Sequence, residues 1–142
     1  MNFAFTEEQE ELRKTVRQFL DAKSSEEAVR EQMETDTGFD RAVWSQMAEQ
    51  MGLQGLHIPE QYGGSGFGYV ELGIVLEEMG RSLLCAPFFS SVVLAANALI
   101  HSGDEVGQYR LALLGLHRPE LRHGPPADGH DRAVPGPGAA HE

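Results

Sequence analysis

Thirteen residues, from Phe88 to Ile100, limit the folds open to this chain more than any other stretch. Phe88, Phe89, Val92, Val93, Leu94, Ala95, Ala96, Ala98, Leu99 and Ile100 are apolar and fall almost all the way round a helical wheel. A helix that is apolar on every side is buried on most of them. Pro87 suits its first turn, where the missing N–H is not needed, and Gly103 ends it. The surrounding apolar run, CAPFFSSVVLAANALI, is 16 residues long and holds two serines and an asparagine. A membrane span needs about 20 predominantly apolar residues. The expectation is therefore a buried helix, with no membrane contact.

The remaining sequence supplies helices to cover it. In FTEEQEELRKTVRQFLDA, Thr6 and Gln9 form a capping box. Leu12, Val16, Phe19 and Leu20 then make one stripe at helical spacing, and Glu10 and Lys14 are set to pair one turn apart. Ser24 with Glu27 repeats the capping pattern and predicts a short polar helix to about Met33. Asp40 can cap a third helix whose Trp44, Met47, Ala48 and Met51 share a face, with Gly52 as its left-handed stop. LQGLHIP reads as an extended connector or a brief helical turn. A fourth helix starts near Tyr69, with Leu72, Val75, Leu76 and Met79 on one face and Val70 and Ile74 beside it. Glu77 and Arg81 are spaced to pair on it. Asp104 can cap a sixth helix running past Tyr109. No stretch shows strand alternation and none repeats. The fold class predicted is all-α, with five to six helices and short connections.

Charge divides the chain in two. Of the net charge of −11, all comes from residues 1–108, with 18 acids and seven bases; residues 109–142 hold four of each. That balance repels nucleic acid backbone. Five of the seven prolines and four of the six histidines also lie after residue 108, and prolines at that density deny a long helix. The domains expected are a helical one over 1–108 and a tail over 109–142, helical at its start and then disordered. The single cysteine, Cys85, allows no internal disulfide, and no signal-peptide pattern is visible, which points to a reducing, cytoplasmic setting.

Candidate chemistry is sparse. PEQYGGSGFG places Gly63, Gly64, Gly66 and Gly68 just before a helix, as phosphate-binding loops do. A dinucleotide fingerprint would need a third glycine where Tyr69 stands, and a P-loop needs a Gly-Lys-Ser/Thr run that is absent. The spacing favours a turn between helices, some of its glycines at positive φ. His57 and His101 stand alone, and His117, His123 and His130 lie in the proline-rich tail without a cysteine; all read as surface or incidental, and no metal site is expected. Cys85 lacks a nearby base in sequence and reads as a packed thiol. The glutamates of the first two helices read as solvated faces, Glu77 and Glu78 as lying on a helix that meets other domains or subunits, and none as a catalytic base. Phe88, Phe89 and Val92 are core residues or, alternatively, one wall of an apolar ligand pocket.

Taken together, FTEEQEELRKTVRQFL, then GLHIPEQYGGSGFGYVELGIVLEEMGRSL, then a small-residue apolar helix ending in SGDE, resemble the N-terminal α-helical domain of the acyl-CoA dehydrogenase family. The resemblance covers about residues 3–108 in order and spacing. It implies a flavoenzyme fold in which this domain precedes a β-domain and a helical bundle. It implies FAD as the hydride acceptor, a glutamate base and an acyl-CoA substrate, with FAD and CoA bound mostly by the later domains. On that resemblance Phe88, Phe89 and Val92 shape the acyl pocket, and no catalytic or cofactor-binding residue is assigned here.

The sequence departs from the family after SGDEVGQ, where Arg, Pro, Gly, Ala and His dominate. Such residues are what G+C-rich DNA encodes out of frame, so the expectation is a truncated or frameshifted reading near residues 106–115. FAD is not expected on this chain alone, and neither is turnover. The fifth helix's apolar surface calls for cover from those later domains, and uncovered it is expected to promote self-association; a chain that works with a flavin-bearing partner chain is the alternative. A reading from another class is an acidic helical module that binds proteins.

Overall fold

The computed structural model describes residues 4–103. Its elements are α1 (Glu7–Lys23), α2 (Glu26–Met33), α3 (Arg41–Glu49), two 3₁₀ turns (Leu53–Gly55 and Glu60–Tyr62), α4 (Tyr69–Arg81), a π-helix (Phe89–Ala95) and α5 (Ala96–His101) that continues it. Among the described residues there is no strand, so the all-α expectation stands. The expected sixth helix and the tail lie outside the described residues.

Local chemistry fixes most of the ends. Thr6 accepts the Gln9 N–H at 3.2 Å while the Gln9 side chain accepts the Thr6 N–H at 3.0 Å, the reciprocal capping box expected. Asp40 accepts from the N–H groups of Ala42 and Val43, and Gly52 stops α3 at φ 62°. The second helix starts one residue later than expected: Ser25 is the N-cap, accepting from the Ala28 N–H at 3.2 Å. Ser24 instead closes α1, and its hydroxyl donates to Ser82 O across the fold at 3.1 Å. Lys14 pairs with Glu11 rather than Glu10.

Helices α1 and α4 pack face to face. Val16 and Leu20 of α1 meet Leu72, Val75 and Met79 of α4, with Met47 of α3, Leu53, Leu56, Phe88 and Val92 completing the core. Trp44 packs edge-on against Phe88 with centroids 6.4 Å apart. LQGLHIP takes the helical-turn alternative, and Leu53, Gln54, Leu56 and Ile58 are all buried. The Gln54 amide N–H donates to Trp44 O at 2.8 Å, while its buried Oε1 has no hydrogen-bond partner among the described residues.

Helix four ends in a Schellman motif. The Leu84 N–H donates to Met79 O at 3.0 Å and the Leu83 N–H to Gly80 O at 3.2 Å. The left-handed position, where glycine is the usual residue, is held by Leu83 at φ 51°. A residue with a β-carbon loses about 1–2 kcal/mol in that conformation.

The helix over Phe88–Ile100 departs from expectation in two ways. Its first part is π-helical, with the Ala96 N–H reaching Ser91 O. Side chains add bonds along it: the Ser91 hydroxyl donates to Pro87 O, which also accepts the Ser91 N–H at 3.1 Å, and the Asn97 amide donates to Val93 O at 2.7 Å. Serine hydroxyls that back-bond in this way bend or loosen helices. The helix is also not buried on most sides. Phe88, Val92 and Ala96 face the core, but Phe89 is 58% exposed and Leu94 55%. Residues of α1, α3, α4 and the turn over 53–58 cover one stripe of it, and among the described residues Phe89 and Leu94 stay open.

Candidate functional site

The glycine-rich segment is a closed turn. Successive N–H groups point inward: Gly63 to Glu60 O (2.8 Å), Gly64 to Pro59 O (3.3 Å), Ser65 to Gly55 O (3.0 Å), Gly66 to Ile58 O (2.9 Å) and Phe67 to Leu56 O (2.9 Å). The next, Gly68 N–H, is capped by the Glu71 carboxylate at 3.0 Å. A phosphate at a helix start needs free amides and no competing anion, and here six amides are engaged and a carboxylate holds the position. Gly63 and Gly66 take φ of 82° and 67°, as the turn reading expects. Gly64 serves a different need: a β-carbon there would lie 2.0 Å from Ile58 O.

An open cleft of about 390 Å³ lies where the end of α4 meets the start of the π-helix. Leu76, Met79, Gly80, Leu83, Phe88 and Phe89 line it, with Leu84 and Ala86. None of these side chains ionises. The cleft can hold an apolar group, but it offers no base, nucleophile or cation. Of the three residues singled out from sequence, Phe88 and Phe89 meet here, Phe88 forming the base and Phe89 the exposed rim. Val92 is 4% exposed and lies in the core cluster, outside the cleft lining.

Sequence reasoning missed two groups. Glu78, read as meeting other domains, is 1% exposed and buried beneath α1. Its carboxylate accepts from Arg17 Nε (3.0 Å) and Nη2 (2.7 Å), from Arg81 Nε (2.8 Å) and, at 3.5 Å, from Arg13 Nη1. The Arg17 hydrogen bonds, then Arg81, outweigh desolvation and hold its pKa at about 2. Arg81 also reaches Asp21 at 2.7 Å, and Arg13 reaches Glu77 at 3.0 Å, so the expected Glu77–Arg81 pair is replaced by these two. The cluster ties α1 to α4.

His57 is the second. It reads as incidental in sequence, yet it is 8% exposed, and neither ring nitrogen has a hydrogen-bond partner. Burial pushes its pKa below the usual value. Its ring lies 6.2 Å from that of Tyr69, whose hydroxyl bonds Asn97 Oδ1 at 2.7 Å and His101 Nε2 at 3.1 Å. Among the described residues no three His, Cys, Asp or Glu side chains converge as a metal site would require. Cys85 is half-buried, with its thiol 3.8 Å from Leu83 O. No described helix is long and apolar enough to cross a membrane.

Comparison with known proteins agrees with this architecture. The family described as acyl-CoA dehydrogenase, N-terminal domain, matches residues 6–111. The acyl-CoA dehydrogenase IpdE2 of Mycolicibacterium smegmatis is 40% identical over 98 residues, which is 69% of this chain and 31% of that protein. Mitochondrial isovaleryl-CoA dehydrogenase of Pongo abelii is 33% identical over 102 residues, 70% of this chain and 24% of that one. Among solved structures, the ChsE4-ChsE5 complex from Mycobacterium tuberculosis matches with a TM-score of 0.68 at 32% identity, over 79% of this chain and 32% of the matched one. A variant of the Tcur3481-Tcur3483 steroid ACAD matches with the same TM-score at 29% identity, over 78% and 30%. The chain thus spans about a third or less of the length of these relatives. On the family match and these identities, the chain belongs to the acyl-CoA dehydrogenase family, whose N-terminal helical domain it carries.

Proposed function

We propose that this chain forms one wall of an acyl pocket in an enzyme that removes two hydrogens from the α and β carbons of an acyl-CoA. The observation that carries the reading is the apolar cleft with Phe88 at its base and Phe89 at its exposed rim, in a domain of this family. Aromatic and aliphatic side chains with few polar groups are what an acyl chain meets in a pocket. Val92 acts from behind, fixing Phe88 through the core it shares with it. The helical domain is taken to run over 1–108 and the tail over 109–142, in a cytoplasmic protein.

The chemistry needs two things the described residues do not offer. One is a base at the α carbon, and no cleft residue ionises. The other is a hydride acceptor, which FAD supplies in this family when bound. The described residues do not fit a flavin: the one loop resembling a phosphate cradle has its amides engaged internally. Reaction requires the reacting groups to be held together, so the chain is inactive alone and works with a flavin-bearing partner. The ChsE4-ChsE5 complex and the Tcur3481-Tcur3483 steroid ACAD each join two named components, which supports a partner chain over the general protein-binding reading.

The test uses the purified chain with FAD, an electron-acceptor dye and acyl-CoA thioesters of graded length, a fused-ring acyl-CoA included. No dye reduction is expected. Assembled with a flavin-bearing partner, the chain should be labelled at the Phe88–Phe89 cleft by an acyl-CoA carrying a photoreactive chain end. Turnover by the chain alone, or labelling confined to other surfaces, refutes the reading.

A further inference from the structure

A groove of about 600 Å³ runs between the end of α1, helix α2 and the end of α4, on the far side of Leu83 from the acyl cleft. Val29, Met33 and Leu83 give it apolar surface, and Met33 and Leu83 are each 70% exposed. Leu83 is there against the preference of its backbone. It holds the left-handed position of the Schellman motif, which glycine fills without strain, and its side chain gains little within the described fold in return. A strained residue whose side chain faces outward points to a use outside the chain.

We propose that this groove is the contact between two copies of the chain, with Leu83 as its anchor. Charge selects that occupant. The chain carries −11 overall, so two copies repel across most orientations. The groove's rim is balanced instead: Asp21 pairs with Arg81 and Glu26 with Arg30, each at 2.7 Å. Two acids and two arginines on one rim are self-complementary about a two-fold axis, because Arg30 of one protomer can face the partner's Glu26 and the reverse. Met33 and Leu83 of the two protomers then share the apolar centre, where binding energy concentrates. This inference does not rest on the acyl pocket.

Sedimentation equilibrium on the full chain tests it, with Leu83→Gly as the central variant. The wild type should show a concentration-dependent monomer–dimer equilibrium, and Leu83→Gly should raise its dissociation constant about tenfold or more. The same variant, compared at dilutions where both proteins are monomers, should melt a few degrees higher, because the left-handed strain is gone. A leucine needed only for the fold would give the opposite melting shift. Arg30→Glu should also weaken the dimer, and the reversal Glu26→Arg with Arg30→Glu should restore it. A wild type that is monomeric at every accessible concentration overturns the proposal and leaves the groove to a different chain. A dimer indifferent to Leu83→Gly and Arg30→Glu overturns it in favour of another face, such as the Phe89–Leu94 stripe.

Discussion

Replacing Glu78 with glutamine tests whether the arginine cluster holds α1 onto α4. The carboxylate is 1% exposed and receives Arg17 twice, Arg81 once and Arg13 at longer range. A pKa lowered from 4.5 to about 2 corresponds in full to roughly 3 kcal/mol of preference for the charged form. Arg17 and Arg81 are 47% and 41% exposed, so water screens part of that attraction, and about 1–2 kcal/mol is expected to remain. The sign follows from a folded pKa below the unfolded one. The contribution is present above pH 4.5 and is lost as pH falls from 4.5 towards 2. In urea denaturation at pH 7, Glu78→Gln should lose about 2 kcal/mol, since it also leaves the arginines facing a neutral amide. Stepping down in pH, the gap between wild type and variant should close between 4.5 and 2, because protonated Glu78 resembles glutamine. Comparing the two proteins cancels the other carboxylates, Glu71 among them, whose pKa is lowered by the Gln9 amide. A gap that stays constant or widens through that window refutes the reasoning, as does a variant as stable as wild type at pH 7.

Three further substitutions separate kinds of constraint. Gly64→Ala should cost more than about 3 kcal/mol or abolish folding, since its β-carbon would strike Ile58 O at 2.0 Å, and main chain yields little. Gly73→Ala in α4 meets nothing within 4 Å and should gain up to about 1 kcal/mol; equal effects in thermal melts would refute the distinction. His57, with its folded pKa below the unfolded value near 6.5, should make the wild type less stable as pH falls from 6.5 towards that lower value. His57→Leu removes both unpartnered nitrogens and should gain about 1 kcal/mol at pH 5, with a smaller change between pH 7.5 and 5; a wild-type-like pH slope in the variant would count against it.

What the sequence disclosed depended on distance along the chain. The Thr6–Gln9 box, the Asp40 cap and the Gly52 stop are settled within four residues, and short-range hydrogen bonding decides them. Glu78 was misread because its arginines lie 61 and 65 residues away on α1. Only the packing of α1 on α4 turns a glutamate expected to face other domains into a buried partner of its own helices. His57 was misread because the glycine turn folds back over it, through bonds from Ser65, Gly66 and Phe67 to residues 55–58. Nothing periodic in LQGLHIP shows that closure.

The opening helix shows a subtler limit. Its all-round apolar wheel assumed α-helical winding, and that assumption sets which residues share a face. Over Phe89–Ala95 the winding is π, and the Ser91 hydroxyl and the Asn97 amide bond carbonyls along it. The two phenylalanines are neighbours in sequence yet serve different surfaces, Phe88 in the core against Trp44 and Phe89 outside. Composition could say that the helix needed cover; it could not say that the described residues would leave Phe89 and Leu94 exposed. The exposed Phe89 and the exposed Leu83 both line the apolar cleft. Both keep apolar surface that the described residues do not bury, and that surface lies at the α4–π-helix junction, where no side chain lining the cleft ionises.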